Sequence, residues 1–389
     1  MRVLFLTFYH YPDLSAGSFR ATALVKALKE INPLIQLDIM TTLPHRYSSF
    51  CAEAPVKEEK DGVKIQRIKL PAHKSGMLDQ SLAFCSFARQ VRHLVIKNDY
   101  DLVIATSSRL MTAVLASWVA SNKKIPLYLD IRDIFADTIK DVLPKFSAFF
   151  AKPFFSMLEK WAIKRASKVN LVSPGFAEYF ETRYPQQKFS YFTNGIDEEF
   201  LNSQPKSKPD RNVSSPLRIV YAGNIGEGQG LHEILPGLAN RLSEKAGFRI
   251  IGDGGRKNLL IKRLESAKVK NVELLPPMTR DQLIEEYKQA DVLFLHLNDY
   301  EAFKKVLPSK IFEYAVMGKP ILAGVPGYSA EFIRAEISNA AVFHPCDELD
   351  AIKSLESLSI HDSSRGEFVD KYSRANICRD LAKDILSLT

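Results

Sequence analysis

Apolar runs of strand length alternate with helical repeats along the whole chain. In the first half the runs fall at 3–7, 37–40, 63–68, 102–105, 127–131 and 169–172. Between them, apolar residues recur every three or four positions over about 20–31, 82–96 and 110–121, which predicts helices. The predicted strands read as buried on both sides. Strands of that kind separated by helices form a doubly wound parallel sheet. Residues 202–216 are polar, proline-containing and free of apolar periodicity, and read as a linker. Beyond them the alternation resumes, with strands at 218–222, 248–252, 272–275, 292–296, 321–323 and 341–343, and helices over 230–242, 257–267, 280–289 and 308–317. The predicted architecture is α/β, with two Rossmann-like doubly wound domains, 1–201 and 217–372. Two such halves leave a cleft facing the carboxyl ends of both sheets, where open α/β sheets hold ligands.

Composition narrows the class. The 389 residues suffice for two cores, and 46% hydrophobic with 25% charged residues is ordinary for a soluble globular chain. The apolar run after Met1-Arg2 is too short for a secretory leader, and no stretch of about 18 apolar residues is long enough to span a bilayer. Cys51, Cys85, Cys346 and Cys378 are scattered, without metal-ligand spacing, which fits free thiols in a reducing cytoplasm. The net charge of +8 is concentrated: residues 140–168 hold seven Lys/Arg against Asp141 and Glu159. Phe146, Phe149, Phe150, Phe154, Phe155, Met157, Leu158 and Trp161 interleave with those cations. Such a segment suits peripheral contact with an anionic membrane, or an amphipathic helix whose aromatics enter the core. No nucleic-acid-binding module is present, so nucleic acid is not an expected partner.

Residues 304–324 carry the densest chemical signal. Pro308-Ser309 is a helix start, Gly318 and Pro320 end the helix, and Lys310 and Glu313 lie three apart on one face. The helix amides and Lys310 would take phosphates, and Glu313 would accept ribose hydroxyls; a solvated charge pair on a surface helix is the alternative. Upstream, Tyr221 to Leu231 forms a glycine-rich loop between a strand and a helix, with Gly223 and Gly226 allowing close approach to a phosphate. A dinucleotide-type G-x-G-x-x-G is missing. Gly252-Asp253-Gly254-Gly255 and Pro276-Pro277-Met278 occupy two further strand ends.

The segment Glu313 to Pro320 resembles the second half of the acidic motif of the retaining GT-B glycosyltransferases, the group 1 or family 4 type. Leu307 to Tyr314, Leu-Pro-Ser-Lys-Ile-Phe-Glu-Tyr, is similar to the branch that builds bacterial O-antigens and capsules. The resemblance covers essentially the whole chain and implies that helix 373–389 crosses back to the first domain. It implies donor contacts at Gly17, Gly223, Asn224, Gly226, Gln229, Gly252, Asp253, Met278, Pro308, Ser309 and Glu313. Asn224 and Gln229 stand where the broad family has an Arg and a Lys that grip the diphosphate, and Lys305 stands where it has the first Glu of the acidic motif. Lys304, Lys305 and Lys310 are therefore expected to supply the missing cationic charge. Arg132 and Asp133, in a segment resembling Arg-Asp-Leu-Trp-Pro of that branch, are expected to contact the donor sugar or the acceptor hydroxyl; an ion pair at a strand end is the alternative. The implied reaction is metal-independent, cofactor-free transfer from a nucleoside-diphosphate sugar to a glycan or a polyprenyl-diphosphate-linked saccharide. It would take place at the inner face of the cell membrane. A non-hydrolysing nucleotide-sugar epimerase and an inactive binding module of the same fold remain alternatives.

Overall fold

A computed structural model describes residues 1–13, 15–44, 53–71, 77–107, 109–134, 145–203 and 215–389, with the side chains of 77–80 and 145–152 left aside. The chain divides into two compact units, Met1–Asn194 with Arg374–Thr389, and Gly195–Ser373. It passes from one to the other ahead of the polar 202–216 segment, of which 204–214 lie outside the described residues.

The first unit holds an eight-stranded sheet of β1 (Arg2–Leu6), β2 (Gln36–Thr42), β3 (Lys57–Lys60), β4 (Val63–Ile68), β5 (Leu102–Ser107), β6 (Leu127–Ile131), β7 (Lys168–Leu171) and β8 (Phe189–Ser190). Their spatial order is β3-β4-β2-β1-β5-β6-β7-β8, parallel throughout except for β3 against β4. The edge hairpin is not predicted from the pattern. Its strand is Lys-Glu-Glu-Lys, fully exposed, and is set by a two-residue turn in which Asp61 and Gly62 both have positive φ. Helices Ala16–Ile31 and Arg374–Leu386 pack on one sheet face, where Leu24, Leu28, Leu381 and Ile385 meet Phe5, Ile39, Ile104 and Tyr128. Asp384 anchors the last helix: it accepts from Tyr128 Oη at 2.7 Å and Ser190 Oγ at 2.8 Å and pairs with Lys168.

The second unit holds a six-stranded, wholly parallel sheet of β9 (Leu217–Asn224), β10 (Ala246–Asp253), β11 (Val272–Leu275), β12 (Val292–His296), β13 (Ile321–Gly324) and β14 (Ala340–Phe343). The order is β11-β10-β9-β12-β13-β14. Both sheets are doubly wound, as the apolar pattern predicts. Three helices without a clear repeat, Gly327–Glu336, Glu348–Glu356 and Gly366–Tyr372, appear in addition.

Candidate functional site

The carboxyl ends of β9 and β10 lie side by side, with Gly223 opposite Gly252 and Asn224 opposite Asp253. Their contact is too close for side chains: a Cβ on Gly252, where φ is +149°, would sit 1.8 Å from the Gly223 carbonyl oxygen. Gly223 makes room in a second direction. A Cβ there would lie 2.3 Å from Lys310 Cε and 2.8 Å from its Nζ, so the lysine stem rests directly on this glycine. Lys310 opens the helix Lys310–Val316, whose residues Ile311, Phe312, Tyr314 and Ala315 are buried and whose Tyr314 hydroxyl accepts from the Ala222 amide at 3.2 Å. No hydrogen bond or ion pair from a described residue reaches the Lys310 ammonium or the Glu313 carboxylate one turn on. Burial pushes the ammonium below the usual lysine range, Glu313 pulls the other way, and Arg280 adds to the depression.

The glycine-rich loop is closed on itself. Asn224 Nδ2 donates to Gln229 Oε1 at 2.7 Å, and a Cβ on Gly226 would collide with both side chains. The residues read as substitutes for a cationic clamp thus form a neutral amide pair. The loop is also tied to the segment after β12. Asn298 donates from its amide to the Gly228 carbonyl at 2.8 Å and from Nδ2 to the Glu227 carbonyl at 3.0 Å, and the Phe303 ring covers Gly228. Asp253 caps its own turn, with Oδ1 accepting from the Gly254 amide at 2.8 Å.

The three lysines are placed differently. Lys304 is exposed and pairs with Glu301, because the short 3-10 helix Glu301–Lys305 turns it to solvent. Lys305 ends that helix half-buried, and Lys310 alone of the three lies on the glycine loop. Pro308 and Ser309 precede the helix, but Ser309 already has helical φ and ψ and its side chain caps nothing. Met278 is half-buried, just ahead of the capped helix Arg280–Gln289.

Sequence reasoning missed the groups that hold this site in place. Arg280 lies near Glu313 and is fastened by Asp197 and by Glu199, the latter at 3.0 Å. At the other end of the Lys310–Val316 helix, Arg365 donates to the carbonyls of Ala315, Lys319 and Ser338, and burial lowers it to about 10. Lys319 is buried in a two-oxygen pair with Asp362. A basic residue beyond a Gly-Lys-Pro helix stop was the available signal for Arg365, but its role at these three carbonyls depends on contacts far apart in sequence.

In the first unit, Gly17 stands in the first turn of helix Ala16–Ile31, where a Cβ would come 4.0 Å from Arg132 Nε. Arg132 reaches Asn194 Oδ1 at 3.5 Å, and its Nη1 is buried without a hydrogen bond. Burial lowers it to about 10. Asp133 is exposed, and Phe135, Ala136 and Asp137 lie outside the described residues. Arg20 is wholly consumed inside: it grips Asp130 at 2.9 and 3.0 Å and donates to the Phe192 and Thr193 carbonyls. Cys85, Cys346 and Cys378 are free thiols; Cys51 lies outside the described residues.

Two tandem Rossmann-like units, the later one with a glycine loop beside a Lys-x-x-Glu helix, define the GT-B class of sugar-transferring enzymes. The sequence profile of the Glycosyl transferase 4-like domain matches residues 24–195, and that of the Glycosyl transferases group 1 matches residues 203–374. The chain belongs to the GT-B glycosyltransferases. It is 26% identical over 179 residues to WcaI of Escherichia coli K12, a protein assigned to colanic acid biosynthesis as a glycosyl transferase. That match covers 43% of this chain and 42% of the relative, so it spans under half the length of either. Among solved structures, HepE of Anabaena in complex with UDP-glucose superposes over 100% of both chains with a TM-score of 0.68 at 15% identity. WaaG, a glycosyltransferase involved in lipopolysaccharide biosynthesis, covers 99% of this chain and 97% of its own, with a TM-score of 0.63 at 14% identity. At such identities the likeness speaks for the fold alone.

Proposed function

We propose that this glycosyltransferase moves a sugar, with retention of configuration, from a UDP- or GDP-sugar held in the second unit to a hydroxyl of a glycan or lipid-linked saccharide. Bacterial surface polysaccharide synthesis is the proposed setting, supported by the partial match to WcaI. The observation that carries the proposal is Lys310, an ammonium seated on Gly223 beside the glycine loop, with no acceptor among the described residues. A departing diphosphate gains negative charge as the sugar leaves, so a cation there favours the transition state over the ground state. The anomeric C–O bond breaks with its electron pair going to the diphosphate. The acceptor oxygen bonds the anomeric carbon from the same face, and its proton passes to the departing phosphate oxygen. Glu313 accepts the ribose hydroxyls. The Asn224–Gln229 amides and the Pro308-Ser309 start line the phosphates, Gly252, Asp253 and Met278 border the nucleoside, Gly17 contacts the donor, and Arg132 and Asp133 contact the donor sugar or the acceptor hydroxyl. Lys305 takes a secondary electrostatic role. With lysine as the counter-charge, no divalent ion is required.

Incubating the protein with a panel of UDP-, GDP-, ADP- and dTDP-sugars in EDTA tests this. Slow release of free nucleoside diphosphate from one donor is expected. Formation of an epimer would point instead to the epimerase, and binding without any turnover to a module that has lost catalysis.

Membrane contact is proposed separately. In the helix Lys145–Arg165, Phe154, Met157 and Trp161 are 54%, 59% and 39% exposed at a three-four spacing, so they form one apolar stripe. Lys160 and Lys164 are exposed beside it, while Glu159 turns inward to the Tyr179 and Tyr184 hydroxyls at 3.0 and 3.1 Å. Not all the aromatics of this segment therefore enter the core. The side chains of Lys145 and Lys152, and residues 140–144, lie outside the described residues. An apolar stripe flanked by cations suits reversible binding to an anionic bilayer at about 1 kcal/mol per basic residue. Reversing Lys160 and Lys164 to Glu together with Trp161→Ala should abolish flotation with phosphatidylglycerol vesicles while leaving donor hydrolysis intact. Equal flotation of variant and wild type at low salt rules the stripe out.

A further inference from the structure

His296 ends β12 fully buried, and no motif draws attention to it. Its ring shares a triangle of near-parallel rings with Phe294 and Phe343, with centroids 6.1 and 6.0 Å from its own and 6.2 Å from each other. Gly324 leaves space for this stack, since a Cβ there would meet both Phe343 and His296 within 2.5 Å. Both ring nitrogens are used. Nε2 accepts from the Cys346 amide at 3.0 Å, so it carries no proton, and Nδ1, 2.7 Å from the Gln229 carbonyl oxygen, must carry one and donate it. Burial depresses the imidazole to about 4, so the neutral ring with this tautomer is the resting form.

The ring thus joins two loops that no backbone ladder connects. One is the turn at Cys346, itself at positive φ. The other is the glycine loop at Gln229, whose side chain holds Asn224 and whose next residue, Gly230, starts helix Leu231–Arg241 in a left-handed conformation. A phenyl ring would fill the same stacked slot and leave a buried carbonyl and a buried amide unpaired, which costs more than the hydrogen bonds are worth when made. We infer that His296 is a positioning residue of the donor site: by donating to the Gln229 carbonyl, it fixes the height of the Asn224–Gln229 loop over the phosphates. This rests on the assignment of that loop to the donor diphosphate made above.

Two substitutions separate its two hydrogen bonds. His296→Asn places an amide donor where Nδ1 stands and keeps the Gln229 contact. His296→Gln places a carbonyl where Nε2 stands and keeps the Cys346 contact. Calorimetric titration of the full chain with UDP and with GDP should find the Asn variant within about three-fold of wild type and the Gln variant about ten-fold weaker. Ten-fold corresponds to about 1.4 kcal/mol, the scale of one buried hydrogen bond left unmade. Equal affinities in both variants, with both folded by circular dichroism, overturn the inference and leave His296 as a core residue. Should either variant fail to fold, histidine 15N NMR of the wild type decides. An Nδ1-protonated ring whose signal moves on adding UDP supports the inference, and a signal that UDP leaves in place overturns it. Absence of any nucleotide binding by the wild type would instead remove the donor-site assignment itself.

Discussion

Lys310→Ala should lower kcat and kcat/KM together by about 10²–10³-fold, the scale of removing one preorganised group from a developing oxyanion. The size follows from where the ammonium sits. Its stem lies on the bare backbone of Gly223, with a depressed proton affinity from burial and from Arg280. The side chain is half-buried, so its field on a phosphate placed before it is less screened than that of a fully exposed lysine. Gly223→Ala should act in the same direction, because a Cβ 2.3 Å from Cε forces the lysine aside. Glu313→Gln should behave differently, weakening nucleoside-diphosphate affinity by about 1.5–3 kcal/mol through lost charged hydrogen bonds to ribose, in ground state and transition state alike. Steady-state kinetics with the donor found by the panel, beside calorimetry, separates the two patterns. A rise in KM alone for Lys310→Ala would reduce it to uniform binding, and unchanged kinetics would leave it as packing for Gly223.

Arg20→Ala should destabilise the first unit by about 3–5 kcal/mol, the cost of leaving one member of a buried ion pair without the other. Arg20 and Asp130 are each 1% exposed in their side chains, and Asn170 donates to the same carboxylate at 2.7 Å. Burial alone would raise the Asp130 carboxyl; Arg20 first, then Arg132 and Asn170, hold it low instead. A carboxyl depressed in the folded state stabilises fully above its unfolded range, near about 3.9, and loses that contribution as pH falls through the folded value. Without Arg20 the largest lowering influence is gone and burial weighs more on Asp130, so the deficit of the variant narrows as pH approaches about 4. Urea unfolding of both forms at neutral and acidic pH measures this. Coincident curves at neutral pH would show that the pair contributes nothing.

The strands β4, β6, β11 and β12 and the helix Arg280–Gln289 are legible to the residue, because an apolar run, a two-residue alternation or a three-four repeat marks each one. β3 has no such mark: four charged residues at a sheet edge carry no apolar face, and only the following Asp61-Gly62 turn announces a hairpin. The two-residue β8 and the helix Gly327–Glu336 are too short or too irregular for periodicity. In the site, glycine spacing and the Lys310–Glu313 pair are sequence-local and could be read. The pairing of Asn224 with Gln229 could not, since side-chain amides bond in many ways and the loop decides which. Arg365 and His296 act across 50 and 67 residues of chain, a distance at which spacing carries no information.

The second unit is spliced into the first with its own ends fastened together: the Ile196 amide donates to the Tyr372 carbonyl at 2.8 Å, and Ile196 bridges Ser373. A nascent chain that has emerged as far as residue 373 already contains every strand of both sheets. Its earlier sheet nevertheless still shows water the apolar patch that Cys378, Leu381, Ala382 and Ile385 will cover. The thirteen-residue helix Arg374–Leu386, locked through Asp384, is therefore the closing clasp of the half that was synthesised first.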